Sequence, residues 1–353
     1  MDKDERLITG ITMGDPAGIG PEITAKALSK PEIYKICRPL VVGDAAVMEL
    51  AAKIIGRTDI KIRGIENLSE ARYEYGNIDV LDMKLVDMNK FEFGKVSSMA
   101  GNAAFRYVEK VIKLAMNGAV DGTVTNAFNK EAVNLSGHHY SGHTEIYAEK
   151  TGTKKYTMML AHENLRVVHV STHVSLREAC DRVKKDRVLE VIEIANRACM
   201  DLGIEKPRIG VAGLNPHSGE NGLFGREEID EIIPAIEEAW GKGMDVYGPI
   251  PPDTIFSKAR GGLYDIVVAM YHDQGHIPLK VVGFVYNQKL KQWDAVAGVN
   301  ITLGLPIVRA SVDHGTAFDQ AGTGRASERS LENAIEYSIL LSNSRKNKIQ
   351  NTK

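Results

Sequence analysis

Short β-branched apolar runs alternate with helix-period segments along the whole chain, and this alternation limits the fold more than any other feature. Leu7 to Met13, Pro39 to Gly43, Gly122 to Thr125 and Pro306 to Ala310 read as buried strands. Three further runs, beginning at Arg166, Ile209 and Asp265, end in polar loops that carry His173, His217 and His272. Between the strands, Pro21-Glu22 opens a helix, with proline in the first turn and an acid beside it. An Ala-rich helix runs to about Ile55. Ser98 to Asn117 is the clearest helix, with Phe105, Val108, Ile112 and Ala115 on one face. Asp186 to Leu202, Arg226 to Trp240 and Ser327 to Leu341 follow the same period. The pattern predicts an α/β fold with a largely parallel sheet.

The chain has 353 residues, enough for two lobes, yet no repeat or Pro/Gly-rich linker separates them. A net charge of -2 offers no broad field for nucleic acid or an anionic membrane, so an anionic substrate needs local cations. Cys37, Cys180 and Cys199 form no CxxC pair and indicate neither a zinc knuckle nor a disulfide framework. The charged start, Met1 to Arg6, carries no apolar signal segment, and no run is long enough to span a membrane. A cytoplasmic setting is the default expectation. The polar, basic tail from Ser342 to Lys353 is expected to fray.

Ligands of open α/β sheets bind beyond the carboxyl ends of the strands. His173, His217 and His272 place one imidazole at each of three such ends, a way to assemble a divalent-metal site; single surface or core histidines are the plain alternative. All ten histidines fall between His138 and His314, which locates the chemistry. Gly14-Asp15-Pro16-Ala17-Gly18-Ile19-Gly20 is a Gly-rich strand-to-helix turn, but its spacing is neither GxGxxG nor a P-loop, so a structural turn is as good a reading. His143 and Thr144, between close glycines, can donate to phosphate or carboxylate oxygens, whereas His139 reads as an exposed loop residue. The Asn215–Gly222 segment is polar and turn-rich directly after a strand, as binding loops are. Asp253 is either a helix cap or a carboxylate near the reacting group. Asp273 can orient an imidazole, and Lys280 with Arg309 can neutralise a phosphate. The long, small-residue stretch from Ser311 to Ala326 reads as a ligand-binding loop.

Six of these stretches occur in one order: the Gly14–Glu22 turn, Gly142 to Glu145, Ser171 to His173, Asn215 to Glu220, Tyr271 to Gly275 and the His314 loop. Together they resemble the 4-hydroxythreonine-4-phosphate dehydrogenase family of pyridoxal phosphate biosynthesis, over residues 7 to about 341. The resemblance implies a two-lobed fold of the isocitrate/isopropylmalate dehydrogenase type, with the active site in the cleft between lobes. The lobes are expected at 1–130 plus 299–353, on the NAD side, and at 131–298, for metal, substrate and dimerisation. It implies His173, His217 and His272 as metal ligands, with His272 supplied by the neighbouring subunit of a homodimer that shares its sites. Zinc is the metal expected for three imidazoles, with cobalt, nickel, manganese or magnesium as alternatives. His143, Thr144, Lys280, Asn300 and Arg309 match substrate positions. His314, Gly315, Thr316, Ala317, Asp319 and Gly322 match an NAD loop, although Phe318 stands where related dehydrogenases carry proline. Asp253, Asp273 and Lys130 are candidates for acid–base work.

The implied reaction is an NAD- and metal-dependent oxidation and decarboxylation of a 4-phosphorylated 3-hydroxy acid. Thr125 to Lys130, His138 to Tyr140 and the long Val281–Val299 segment, with Tyr286, Lys289, Lys291 and Trp293, look like the branch acting on D-threonate or D-erythronate 4-phosphate. That branch yields dihydroxyacetone phosphate and CO₂. The amino-acid substrate of vitamin B6 synthesis is the alternative, since nothing in the sequence identifies the group read at C2. A metal-dependent phosphatase or lyase, against which the His314 loop argues, and a non-catalytic sugar-phosphate sensor, against which the density of histidine, aspartate and lysine at strand ends argues, are the more distant readings.

Overall fold

The computed structural model describes residues 4–288 and 292–351. In chain order the strands are β1 (Leu7–Thr12), β2 (Cys37–Gly43), β3 (Lys61–Ile65), β4 (Asn77–Asp82), β5 (Gly122–Thr125), β6 (Thr157–His162) and β7 (Leu165–His169). They continue with β8 (Arg208–Ala212), β9 (Asp245–Ile250), β10 (Ile266–Ala269), β11 (Phe284–Asn287), β12 (Gln292–Val296), β13 (Val299–Leu303) and β14 (Arg309–Val312). The first six helices are α1 (Gly20–Ala27), α2 (Pro31–Ile36), α3 (Ala45–Ile54), α4 (Ser98–Met116), α5 (Lys130–Leu135) and α6 (His143–Thr151). The others are α7 (Leu176–Asp181), α8 (Lys185–Asp201), α9 (Ile233–Gly241), α10 (Pro252–Arg260), α11 (His272–Gly283) and α12 (Arg329–Asn351).

The chain divides into two units, Met1–Thr153 with Leu305–Lys353, and Lys154–Gly304. The divisions therefore fall later than residues 130 and 298. Residues 131–153 stay with the first unit because α5 and α6 pack on α4. Gly101 makes the first of these contacts possible: a Cβ there would lie 2.0 Å from the Ala132 carbonyl oxygen. The Ser97 side chain caps α4 by accepting from Ala100 N at 3.1 Å, and Phe105, Val108 and Ile112 are buried.

In the first unit the strand order is β3-β4-β2-β1-β5-β14, every pair parallel. Strands β1, β2 and β5 are buried almost throughout, which is why their sequences are continuously apolar or β-branched. In the second unit the order is β13-β6-β7-β10-β8-β9. There β7, β10, β8 and β9 run parallel, while β13 and β6 pair antiparallel. Strands β11 and β12 form a separate hairpin. Lys289 and Lys291 lie outside the described residues.

The expected fraying after Leu341 is not observed: α12 continues to Asn351. Ser342 is buried, its hydroxyl donates to the Asp121 carbonyl at 3.0 Å, and Arg345 Nη2 donates to the Leu305 carbonyl at 3.0 Å. No helix among the described residues is long and apolar enough to cross a membrane.

Candidate active site

In the first unit, polar groups gather where β1, β5 and β14 lie side by side. Arg309, only 3% exposed, donates from Nη2 to Thr125 Oγ1 at 2.9 Å, with its guanidinium 5.7 Å from the centre of the Tyr147 ring. Burial pulls this guanidinium down to about 10, partly offset by Tyr147 and Glu145. The Tyr147 hydroxyl is held by Thr123 Oγ1 at 3.0 Å.

His143 opens α6, its ring 4.1 Å from that of Phe128. Burial, then the charges of Arg309 and Lys130, hold this imidazole well below its usual range, so it is neutral. Its Nε2 is buried and has no hydrogen-bond partner among the described residues. A neutral imidazole near a buried guanidinium suits a ligand that brings its own anionic oxygens. Thr144 follows in α6, and Lys130 is exposed at the start of α5. His138 is not a free loop residue: it stacks on Phe105 with centroids 3.7 Å apart.

Asp15 lies fully buried beneath the same strand ends. It accepts from Ala17 N at 2.9 Å and from Asn129 N at 3.3 Å. Burial outweighs these bonds and raises its carboxyl to about 6.

The loop after β14 carries His314, Gly315, Thr316, Ala317, Asp319 and Gly322. Gly315 is exposed, with open space where a Cβ would stand, so a ligand can approach its backbone. Ala317 is left-handed, φ 43°, and its carbonyl accepts from Gln320 N at 2.9 Å. His314 Nδ1 faces the Gly315 carbonyl at 2.9 Å.

In the second unit, β7, β10 and β8 are neighbours, and the segments that leave them carry His173, His272 and His217. The rings of His173 and His272 lie 5.8 Å apart within the one chain. They line a pocket of about 530 Å³ with Thr172, Tyr271 and Asp273. His272 Nδ1 donates to Asp273 Oδ1 at 2.6 Å, and His217 Nδ1 donates to Glu220 Oε2 at 3.1 Å. A carboxylate on Nδ1 fixes the tautomer that leaves Nε2 as a donor to a metal. The donor chemistry thus fits a divalent ion. Even so, no group of three His, Cys, Asp or Glu among the described residues is gathered closely enough to hold one.

His217 stands in an unusual turn. His217, Ser218, Glu220 and Asn221 all have φ between 45° and 56°, a region that non-glycine residues rarely adopt. Buried Glu228 anchors this turn, its Oε1 accepting from Leu214 N at 2.7 Å and Asn215 N at 2.8 Å. Buried Gln274 ties the ends of two strands together, accepting from Met270 N at 2.6 Å and donating to the Gly213 carbonyl at 2.8 Å. His276 stacks on His272 with centroids 3.6 Å apart, and His169 lies 4.8 Å from His276. Burial lowers His169 to about 4. The sequence assigns no individual role to Glu228, Gln274, His169 or His276, because their roles depend on neighbours distant in the chain. Asp253 is exposed in the first turn of α10. Lys280 Nζ lies 4.2 Å from the Phe284 ring centre, and Asn300 is on β13.

The first unit thus offers a buried guanidinium and a neutral imidazole suited to a small anion, and the second offers carboxylate-backed histidines at strand ends. The chain belongs to the pyridoxal phosphate biosynthetic protein PdxA family, whose model matches residues 35–338. It is 47% identical over 339 residues to D-threonate 4-phosphate dehydrogenase of Cupriavidus necator, covering 96% of this chain and 98% of that one. It is 49% identical over 339 residues to D-threonate 4-phosphate dehydrogenase of Salmonella typhimurium, covering 96% and 99%. A crystal structure of 4-hydroxythreonine-4-phosphate dehydrogenase from Klebsiella pneumoniae superposes with a TM-score of 0.81 at 44% identity, covering 95% and 99%. The chain is an enzyme whose dehydrogenase relatives match it along nearly its whole length.

Proposed function

We propose that this enzyme oxidises and decarboxylates D-threonate 4-phosphate or D-erythronate 4-phosphate, with NAD as oxidant, to give dihydroxyacetone phosphate and CO₂. The observation that carries the reading is the near-full-length identity to D-threonate 4-phosphate dehydrogenases, set beside a buried arginine suited to a phosphate or carboxylate. C3 gives up its C–H hydrogen as hydride to NAD, and the hydroxyl it carries gives its O–H proton to a base, leaving a ketone at C3. The resulting 3-keto acid loses CO₂, and the carbanion left at C2 takes a proton.

His173, His217 and His272 would hold a divalent metal, zinc or another ion that accepts imidazoles, which when bound supplies Lewis acidity toward substrate oxygens. Arg309, His143, Thr144, Lys280 and Asn300 bind and orient the acid phosphate, using binding energy remote from the reacting carbons. Asp273 is engaged with His272 and orients that ring. Lys130 and Asp253, both exposed, are the groups proposed to move protons. The loop from His314 to Gly322 receives NAD. A homodimer with shared sites and a cytoplasmic setting complete the reading.

The test is NADH formation by the purified enzyme with divalent metal. D-threonate 4-phosphate, D-erythronate 4-phosphate and 4-hydroxythreonine 4-phosphate are run side by side. Preference for a sugar-acid phosphate, with one CO₂ released per NADH, is the expected result. Preference for the amino acid moves the enzyme to vitamin B6 synthesis. Absence of NADH from all three overturns the reading.

A further inference from the structure

The Gly14–Gly20 turn matches no dinucleotide or P-loop spacing, and the structure gives it another task. Within the first unit it supports the loop after β14. Ile19 N donates to the Thr316 carbonyl at 3.0 Å. Gly18 faces that same carbonyl so closely that a Cβ would stand 2.9 Å from it. Ala17 accepts from Gly94 N at 2.8 Å, and the neighbouring Phe93 packs against Gly322.

Glu22, in the first turn of α1, is fully buried. Its Oε1 accepts from Gly322 N and its Oε2 from Gly324 N, the latter at 2.5 Å. Both glycines are left-handed, with φ 79° and 68°. Left-handed turns can aim backbone N–H groups at an anion, and here the two glycine N–H groups meet the protein's own carboxylate. A buried carboxylate without such donors is strongly disfavoured. The carboxylate and the loop backbone therefore fix one another.

We infer that Glu22 is a positioning residue for nicotinamide-nucleotide binding, setting the backbone of residues 314–324 from beneath. The inference rests on the reading of that loop as the NAD site. Glutamine at this position keeps the size but has one acceptor oxygen, so its amide would confront one of the two N–H donors.

The test is Glu22→Gln, read by NADH titration without substrate, by steady-state kinetics and by hydrogen exchange of the 314–324 amides. Expected are faster exchange in that segment, NADH affinity about tenfold weaker and a matching rise in KM for NAD. KM for D-threonate 4-phosphate and the bound divalent metal stay as in the wild type. Wild-type NADH affinity in Glu22→Gln, with or without faster exchange, overturns the inference. Wild-type enzyme that fails to bind NADH, or a Gly315→Val enzyme that binds it normally, overturns the NAD-site reading and the inference with it. Should Glu22→Gln not fold, Gly18→Ala displaces the Thr316 carbonyl from the other side and is held to the same outcomes.

Discussion

The two units place their functional groups in contrasting ways. The first buries several of them: Arg309 is 3% exposed, Nε2 of His143 is buried without a partner among the described residues, and Asp15 and Glu22 are inaccessible and held by backbone N–H groups. The second leaves two of its candidate ligands open: the side chains of His217 and His272 are 66% and 38% exposed, each steadied by a single carboxylate. A buried guanidinium needs hydrogen bonds already in place, because desolvation is costly without them. A metal ligand needs an accessible nitrogen in the right tautomer. On the proposed reading, the first unit serves charge recognition and the second serves coordination.

Three substitutions test this contrast, from the largest expected effect to the smallest. His217→Asn keeps a residue that tolerates the left-handed backbone but removes the imidazole. Turnover and bound metal should fall by more than the roughly 100-fold that follows loss of a supporting group. Stability should stay within about 0.5 kcal/mol, as for other exposed sites. Metal analysis together with NADH formation decides it, and full metal content with normal activity breaks the assignment of the second unit.

Arg309→Lys should do the reverse. Bound metal stays at the wild-type level, while kcat/KM for the acid phosphate drops on the order of 30-fold, about 2 kcal/mol, through loss of the planar fork. An unchanged KM would show that Arg309 does not read the anion.

Asp15→Asn gives the smallest effect and a definite sign. Asp15 holds its proton up to about pH 6 in the folded protein, against an ordinary value of 3.8. Folding therefore takes up a proton across this window, and wild-type stability declines as pH rises from about 4 to about 6. The variant lacks that decline, so its relative stability should rise through the window and level off above it. The rise between 3.8 and about 6 amounts to about 3 kcal/mol, set against a pH-independent loss of about 1 kcal/mol because asparagine provides one acceptor fewer for Asn129, which leaves a net gain of about 2 kcal/mol above the window. Thermal unfolding between pH 4 and 8 measures it, and a pH-independent difference would mean that Asp15 is ionised throughout.

Continuous apolar runs made β1, β2, β5, β8 and β10 legible, because strands buried on both faces leave little choice of residue. The half-exposed edge strand β3, with Lys61 and Arg63, carries no such signal. Neither does β9, which is interrupted by Gly248-Pro249. Amphipathic period exposed α4 and α8 to within a residue or so, whereas the expected helix from Arg226 to Trp240 begins as a π-turn at Glu228–Ile232. Its early residues are occupied in anchoring the His217 turn.

The sequence by itself determined the α/β class, the family and the residue types at the strand ends. Those are local properties: side-chain periodicity and ordered motifs. Only the tertiary structure decided that β7, β10 and β8 are neighbours, so that His173, His272 and His217 leave adjacent strands. It alone joined Glu22 to Gly322 and Gly324, some 300 residues apart in sequence. Strand order and a carboxylate's choice of donors depend on which distant segments can bury one another's surfaces and polar groups, and no local pattern in the chain records that choice.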